Sequence, residues 1–564
     1  MWEERSVLKQ EQIATCLEYL DSGGILVVFQ PIIPPYPLSY VGNGIVKRGL
    51  DVISQIIGRG EFYDISDFDI PEPLIPLVLR SQNKLERLLK RGVSFQAELE
   101  FYPSWPEGLG TLLQAGYEPD KETMGRALNS GTAAVRVLKD TGKLYPELCI
   151  PFLAECPYPT AREIVVQELA EERKQLWNTA LTHLPMETLL QLNIRPDTVL
   201  GFNAAQVHCL LETHGVNTNH IGSREGWLIY RAAKLNTELA NQMWDHGFRD
   251  VDEKDDMGMT ALMKLQSFLD FGKGPPALKL LEMASWLIKK GADGRLCPKI
   301  CDYSALHFVA ASLAESLGSW GWVATQSETI ENLLAKMNPL SQLPSSLEAV
   351  LHSILLDDSR DSCSCYCSPT GCTPLAVFLG ALTKGRNDIY YVKGIAKVIL
   401  PSIFASLPSK SPESFEERVI PQALRLITFE ALEISHTCAH PTYQWSILGS
   451  SDDSGITAHP AVPYAQRLVF QPFEPEEVKE IHEEEAALIE ELESLVMEFI
   501  SDYKRLCLPF EVFIQEHWWV RMQEVLDRQE PPTEEQIDQI QGIGVVLESQ
   551  SEEGLDSETD DYLK

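Results

Sequence analysis

Short leucine-bearing segments that close on a glycine recur along this chain, and none is long enough to be stable alone. Leu85 to Gly92, Leu109 to Gly116, Val135 to Gly142 and Val207 to Gly215 each carry apolar side chains at helical spacing, then polar residues, then glycine. Glycine at that point suits the left-handed residue that ends a helix. Isolated helices of this length are marginal in water, so a run of them implies stacking on neighbours. The closing glycines are 24, 26 and 73 residues apart, and this uneven spacing is also consistent with a non-repetitive helical domain.

Later segments carry a stronger pattern. Asp256-Met257-Gly258-Met259-Thr260-Ala261-Leu262-Met263 opens one unit, and Leu280 to Asp293 supplies a leucine-rich second helix ending in Gly291-Ala292-Asp293. Asp302 to Ala311 repeats the first-helix pattern with His307 and the pair Ala310-Ala311. Gly371-Cys372-Thr373-Pro374-Leu375 gives the opening again. A weaker copy lies upstream, from Trp227 to Asp250, and its Gly226 precedes Gly258 by 32 residues. Threonine can cap a helix through its hydroxyl, and proline is tolerated in a first turn. Asp293 suits the turn after the second helix.

These segments resemble ankyrin repeats over roughly 226–385, and more faintly over 74–225, against a period of about 33. Thr260 to Ser304 spans 44 residues, which points to an insertion near 271–276, and Ser304 to Thr373 spans 69 with no clear unit between. The whole chain resembles uncharacterised filamentous-fungal proteins with degenerate ankyrin repeats. That resemblance implies a helical-repeat fold and a binding role, and no reaction.

The chain has 564 residues and a formal charge of −35, from 82 acidic and 47 basic side chains. The stretch 474–564 holds 27 Asp/Glu against 6 Lys/Arg, so it carries 21 of the excess negative charges. Such acidity repels phosphate backbones, so nucleic acid is not an expected partner and a basic protein is. It also serves solubility alone. The most apolar runs, 24–34 and 392–407, are short or interrupted, so no membrane span is expected. The opening Met1-Trp2-Glu3-Glu4-Arg5 does not read as a secretory leader. Cytoplasm or nucleus is the expected location, with reduced cysteines.

Four of the twelve cysteines crowd together as Cys363, Cys365, Cys367 and Cys372. In an extended segment the first three would share a face, and Cys372 would return after the turn at Pro369 to Gly371. Four thiolates suit tetrahedral zinc, although the usual Cys-x-x-Cys knuckle is missing. His436 and Cys438 can replace one or two of these ligands. Three readings stay open: a structural zinc clip between the repeats and the helical stretch near 414–435, a loop of reduced cysteines, and a disulfide or redox switch.

Catalytic signatures do not emerge. Gly42 and Gly44 are followed by Gly49 at the wrong spacing for a dinucleotide loop, and His482 has no second histidine four residues on. A Gly-x-Ser-x-Gly elbow is missing, and Asp452-Asp453 lack calcium-loop spacing. His307 reads as a satisfied structural residue.

The expected architecture is all-α: an ankyrin-like helical solenoid with an irregular N-terminal segment and an acidic C-terminal helical extension. Its parts are an irregular segment at 1–73, with a short strand near Ile25 to Phe29, degenerate helical repeats at 74–225 and ankyrin-like repeats at 226–385. A helical segment and Ser/Pro-rich loop follow at 386–473, then C-terminal helices at 474–528 and an acidic disordered tail at 529–564. Within 474–528, a single helix is expected from Glu474 to about Leu506. The apolar group Phe510, Phe513, Trp518, Trp519 and Val520 is expected to dock as a cap. The expected function is a protein-binding scaffold without catalysis; the alternative is an enzyme or zinc-dependent module whose site the sequence does not display.

Overall fold

The computed structural model describes residues 72–192, 199–218, 228–265, 276–299, 301–318, 344–383, 412–438, 442–447, 464–469 and 473–528, with isolated positions between. The expected strand at 25–29, the glycines at 42–49, the insertion at 271–275, the Asp452-Asp453 loop and the acidic tail lie outside the described residues.

The described chain is predominantly helical. Its helices of eight residues or more are α1 (Gln82–Lys90), α2 (Pro106–Gln114), α3 (Lys121–Ser130), α4 (Thr132–Asp140), α5 (Pro159–His183), α6 (Asn203–Thr213), α7 (Thr237–Asp245) and α8 (Pro276–Lys289). They continue as α9 (Ala305–Gly318), α10 (Ser345–Leu355), α11 (Pro374–Thr383) and α12 (Pro412–Ala431). After an antiparallel ribbon of β1 (Thr442–Ile447) and β2 (Tyr464–Val469) come α13 (Pro475–Glu484), α14 (Ala486–Leu506) and α15 (Trp519–Leu526). Among the described residues, no helix is long and apolar enough to cross a membrane.

Local chemistry explains most of the boundaries. Gly92, Gly116, Gly142 and Gly215 all adopt positive φ, as expected of closing residues. The next amide reaches back five residues, as in Val93 N–H to the Leu88 carbonyl at 3.1 Å, which satisfies a helix-end carbonyl. Gly291 closes α8 in the same way, with Ala292 N–H on the Leu287 carbonyl at 3.0 Å. Asp293 then accepts from Arg295 N–H at 2.9 Å, the expected turn. At the other ends, Asp120 caps α3 and Asn236 caps α7.

Three expectations need correction. The Asp256 to Met263 segment forms only a 3-10 turn at Leu262–Lys264; Thr260 accepts from Met263 N–H, but Leu265 leaves helical geometry at ψ 38°. Within the expected helical segment and Ser/Pro-rich loop at 386–473, Thr442–Ile447 and Tyr464–Val469 instead pair as strands; Tyr443, Trp445 and Ile447 alternate with Gln444 and Ser446, the period of a strand. The expected helix from Glu474 to Leu506 breaks at Glu485, which turns its carboxylate onto the Ser435 N–H at 3.1 Å.

Packing passes from neighbour to neighbour along the chain. α2 and α3 both meet α4, α4 meets α5, α5 meets α7, and α7 meets α8. α8 meets α9 and α10, α9 and α10 both meet α11, α11 meets α12, and α12 meets α14. One apolar core runs through this series. A smaller one, which includes Leu176, Ala180, Ala204 and Val207, joins the second half of α5 to α6. Where the two cores meet, Arg173 of α5 pairs with Glu147 at 2.7 Å, both almost fully buried. Nearby, Glu253 accepts from the Asn203 N–H at 3.0 Å and so satisfies the first turn of α6.

The C-terminal aromatics dock. Trp518 is fully buried, and its indole N–H donates to the Thr428 hydroxyl of α12 at 3.0 Å. Phe513 and Phe499 are fully buried in the same core. Trp518→Ala should cost about 3–5 kcal/mol and make the chain beyond residue 473 the first target of limited proteolysis. An unchanged unfolding midpoint would contradict this docking.

Burial pushes the Glu253 carboxyl up from 4.5 to about 7. Folding therefore keeps a proton that the unfolded chain releases at its ordinary pKa. The resulting stabilisation is whole below about pH 4.5 and is lost as pH rises to about 7. Glu253→Gln keeps an acceptor for Asn203 and should remove on the order of 3 kcal/mol of pH-dependent slope across that window. Parallel urea titrations of both proteins from pH 4.5 to 8 measure it; identical slopes would show that Glu253 titrates normally.

Candidate metal centre

The cysteine segment is shaped by its first residue, Asp361. The Asp361 N–H donates to the Cys372 carbonyl at 3.1 Å. Its carboxylate accepts from the backbone N–H of Cys363 at 3.2 Å and of Cys372 at 2.6 Å. The base of the loop is thereby closed. Burial, followed by the neighbouring Cys363, pushes this carboxyl up to about 7. Gly371 has φ +95°, and a Cβ there would collide with the Asp361 carbonyl, so the loop can only return through glycine. The chain is not extended throughout: Ser368 N–H bonds to the Cys365 carbonyl at 3.0 Å, and this turn swings Cys367 round.

The turn at Ser304 to His307 grips the same loop. Ser304 N–H donates to His307 Nδ1 at 3.1 Å, which makes Nδ1 an acceptor and leaves Nε2–H to donate to the Cys372 carbonyl at 2.9 Å. Burial pushes the His307 pKa down, in keeping with this neutral form. The next residue, Thr373, caps α11 through the Ala376 N–H and accepts from Gln422 of α12 at 2.6 Å.

The second arm comes from the end of α12. Glu433 takes a left-handed conformation at φ 55°, and the chain then presents His436 and Cys438. His436 Nε2 lies 2.7 Å from Glu430 and its ring packs on Phe429, so Nδ1 is turned toward the thiols. A carboxylate behind an imidazole fixes ring and tautomer in many metal sites.

These arms converge. Cys363 and Cys372 sulfurs are 3.2 Å apart, Cys372 and Cys367 3.7 Å, and Cys367 and Cys438 3.4 Å. His436 Nδ1 lies 3.4 Å from the Cys438 sulfur and 3.9 Å from that of Cys365. The ligand atoms of Cys365, Cys367, His436 and Cys438 all fall within 4.8 Å of one another, as do those of Cys363, Cys372 and Cys438. Either group can hold a metal ion. All six sequence-nominated residues are brought together, although Cys363, Cys365 and Cys367 do not share a simple face.

Crowding divides the thiols. Those that accept hydrogen bonds are pushed down: Cys363, from Cys372, to about 2, and Cys365, from Cys367. Those that donate are pushed up: Cys367 to Cys365, Cys372 to Cys363, and Cys438 to Cys363. Burial works against the charged form of His436, but its bonds to Cys365 and Glu430 outweigh this and lift it to about 9. Anions this close repel strongly, and a cation among them relieves that repulsion.

The surroundings close the site. Arg425 of α12 donates to the Tyr366 carbonyl at 3.0 Å and clamps Glu493 of α14 with two bonds at 2.8 and 2.5 Å. The ring of Tyr366 packs edge-on against His482 of α13, which also approaches the Thr437 hydroxyl at 3.4 Å. Sequence reasoning missed Asp361, Arg425 and Glu430, because none stands at a recognisable spacing from the cysteines. Compared with protein-family models, curated proteins and solved structures, the chain matches none.

Cys365, Cys367, Cys372 and Cys438 are buried, whereas Cys209, Cys297 and Cys507 are exposed. Iodoacetamide should label the exposed three in native protein, and the buried four only on unfolding or metal removal, as read by peptide mass spectrometry. Labelling of all seven at one rate would show that the site is open.

Proposed function

We propose that this protein is a non-catalytic interaction scaffold of ankyrin-like helical repeats, braced by structural zinc held by Cys365, Cys367, His436 and Cys438. The carrying observation is that closed donor set. Two ligands come from the loop before α11 and two from the exit of α12, 71 residues apart for Cys367 and Cys438. Three thiolates and one neutral imidazole make a full tetrahedral complement for zinc, with no position left for water or substrate. Glu430 behind His436 supplies the usual outer support. Soft thiolates favour zinc over calcium or magnesium.

The repeat reading is supported by the left-handed glycine closures, the neighbour-to-neighbour packing and the Thr373-Pro374-Leu375 helix start. Stacks of this kind bind proteins through their extended surfaces. The charge of −35 favours a basic partner, and the exposed Glu476, Glu480 and Glu484 of α13 offer it one acidic face. Cytoplasm or nucleus would keep the thiols reduced and available to metal.

Zinc should co-purify with the full chain in reducing buffer. Its removal by a strong chelator should raise hydrogen exchange in 361–373, 434–438, α13 and α14, while α2 to α5 stay protected. Purified protein without metal, or exchange unchanged by chelation, would overturn the brace. Affinity capture from the native cell, followed by reconstitution with the purified partner, tests the scaffold. Binding should weaken with salt and with Glu476, Glu480 and Glu484→Lys; reproducible failure to recover any partner would overturn that role.

A further inference from the structure

The four ligands just assigned leave two sulfurs unexplained. Cys363 and Cys372 sit 3.2 Å apart at the edge of the same cluster, and both are grouped with Cys438. They are not bonded to each other, since all the cluster cysteines are free. Their placement is held from two sides. The Asp361 carboxylate fixes both backbone amides, and His307 fixes the Cys372 carbonyl.

We infer that the cluster binds two zinc ions that share thiolates, with Cys438 and Cys367 bridging. One ion takes Cys365 and His436 as its own ligands, and the other takes Cys363 and Cys372. Each is then four-coordinate once the two shared sulfurs are counted. The bridging assignment follows from position. Cys438 belongs to both donor groups. Cys367 belongs to the first donor group and lies 3.4 Å from Cys438 and 3.7 Å from Cys372, so its sulfur reaches to the edge of the second group. A tetrahedral zinc with Zn–S near 2.3 Å sets its sulfurs about 3.8 Å apart. The sulfur separations of 3.2 to 3.7 Å are already close to that edge.

Charge supports the count. Five thiolates and a neutral imidazole carry −5. One divalent ion leaves −3 in a buried pocket, unless Cys363 and Cys372 stay protonated, and two leave −1. Burying the smaller charge is far less costly. A second ion also explains why Asp361, Gly371 and His307 spend their geometry on the Cys372 end, which a single ion at His436 would not touch.

This inference rests on the zinc assignment above, and the test separates the two. Full-length protein purified in reducing buffer should show two zinc ions per chain by native mass spectrometry with elemental analysis. One ion would overturn the shared cluster and leave the single brace standing; none would remove both. Cys363→Ser with Cys372→Ser should lower the count from two to one. A double variant that still binds two would overturn the assignment. Folding of that variant is not essential, because cadmium-113 substitution of the wild-type chain gives a direct reading. The β-protons of Cys438 and Cys367 should each correlate with two cadmium resonances, and those of Cys365 with one. Correlation of every cysteine with a single cadmium would overturn bridging.

Discussion

Five sulfurs and an imidazole pressed to within 3.2–3.9 Å of their neighbours form an arrangement that mutual repulsion would scatter if all the thiols were ionised. Much of the surrounding chain works to prevent that scattering. Backbone amides, a buried carboxyl and a repeat histidine fix the loop. A carboxylate fixes the imidazole from behind. A cation bound here would draw on structure already committed to holding its ligands, which lowers the ordering cost of binding.

The ligands matter most for what they join. Cys372 is one residue before the cap of α11, and Cys438 is seven residues beyond α12. Arg425 then ties the loop to α14, and the Glu485 carboxylate ties the exit of α12 to the break between α13 and α14. The acidic helices are therefore fastened to the centre through two charged contacts, and through Trp518 to α12. A metal held here would sit at the junction between α11, α12 and the C-terminal helices.

What the sequence made legible was local. Glycine closures depend on a single residue and its helix, so Gly92 and Gly291 could be read directly. Four cysteines within ten residues announced themselves, and His436-Thr437-Cys438 stood out by residue type. Asp361, Arg425 and Glu430 were not legible, because their roles arise only when the loop and α12 meet. That Cys438 belongs to both donor groups was hidden for the same reason: periodicity predicts faces, while convergence needs a turn such as that at Ser368. The ribbon at 442–469 did carry a readable alternation, masked by the helical pattern around it. The weak first helix at 260–264 shows the converse, a correct cap followed by a chain that departs after one turn.

The proposed bracing role is consistent with how the acidic groups around the centre are placed. Catalytic zinc keeps a position for water, and a general base usually stands nearby. Here the carboxylate closest to the imidazole, Glu430, is bound to its far nitrogen and so faces away from the sulfurs. Asp361 is turned onto two backbone amides. Both acidic groups that could serve as bases are thus spent on orientation, and Arg425 closes the approach beside Tyr366. The commitment of Glu430, Asp361 and Arg425 to positioning fits the proposed bracing role. Rigidity is what a stack of short helices needs where it meets a different kind of packing.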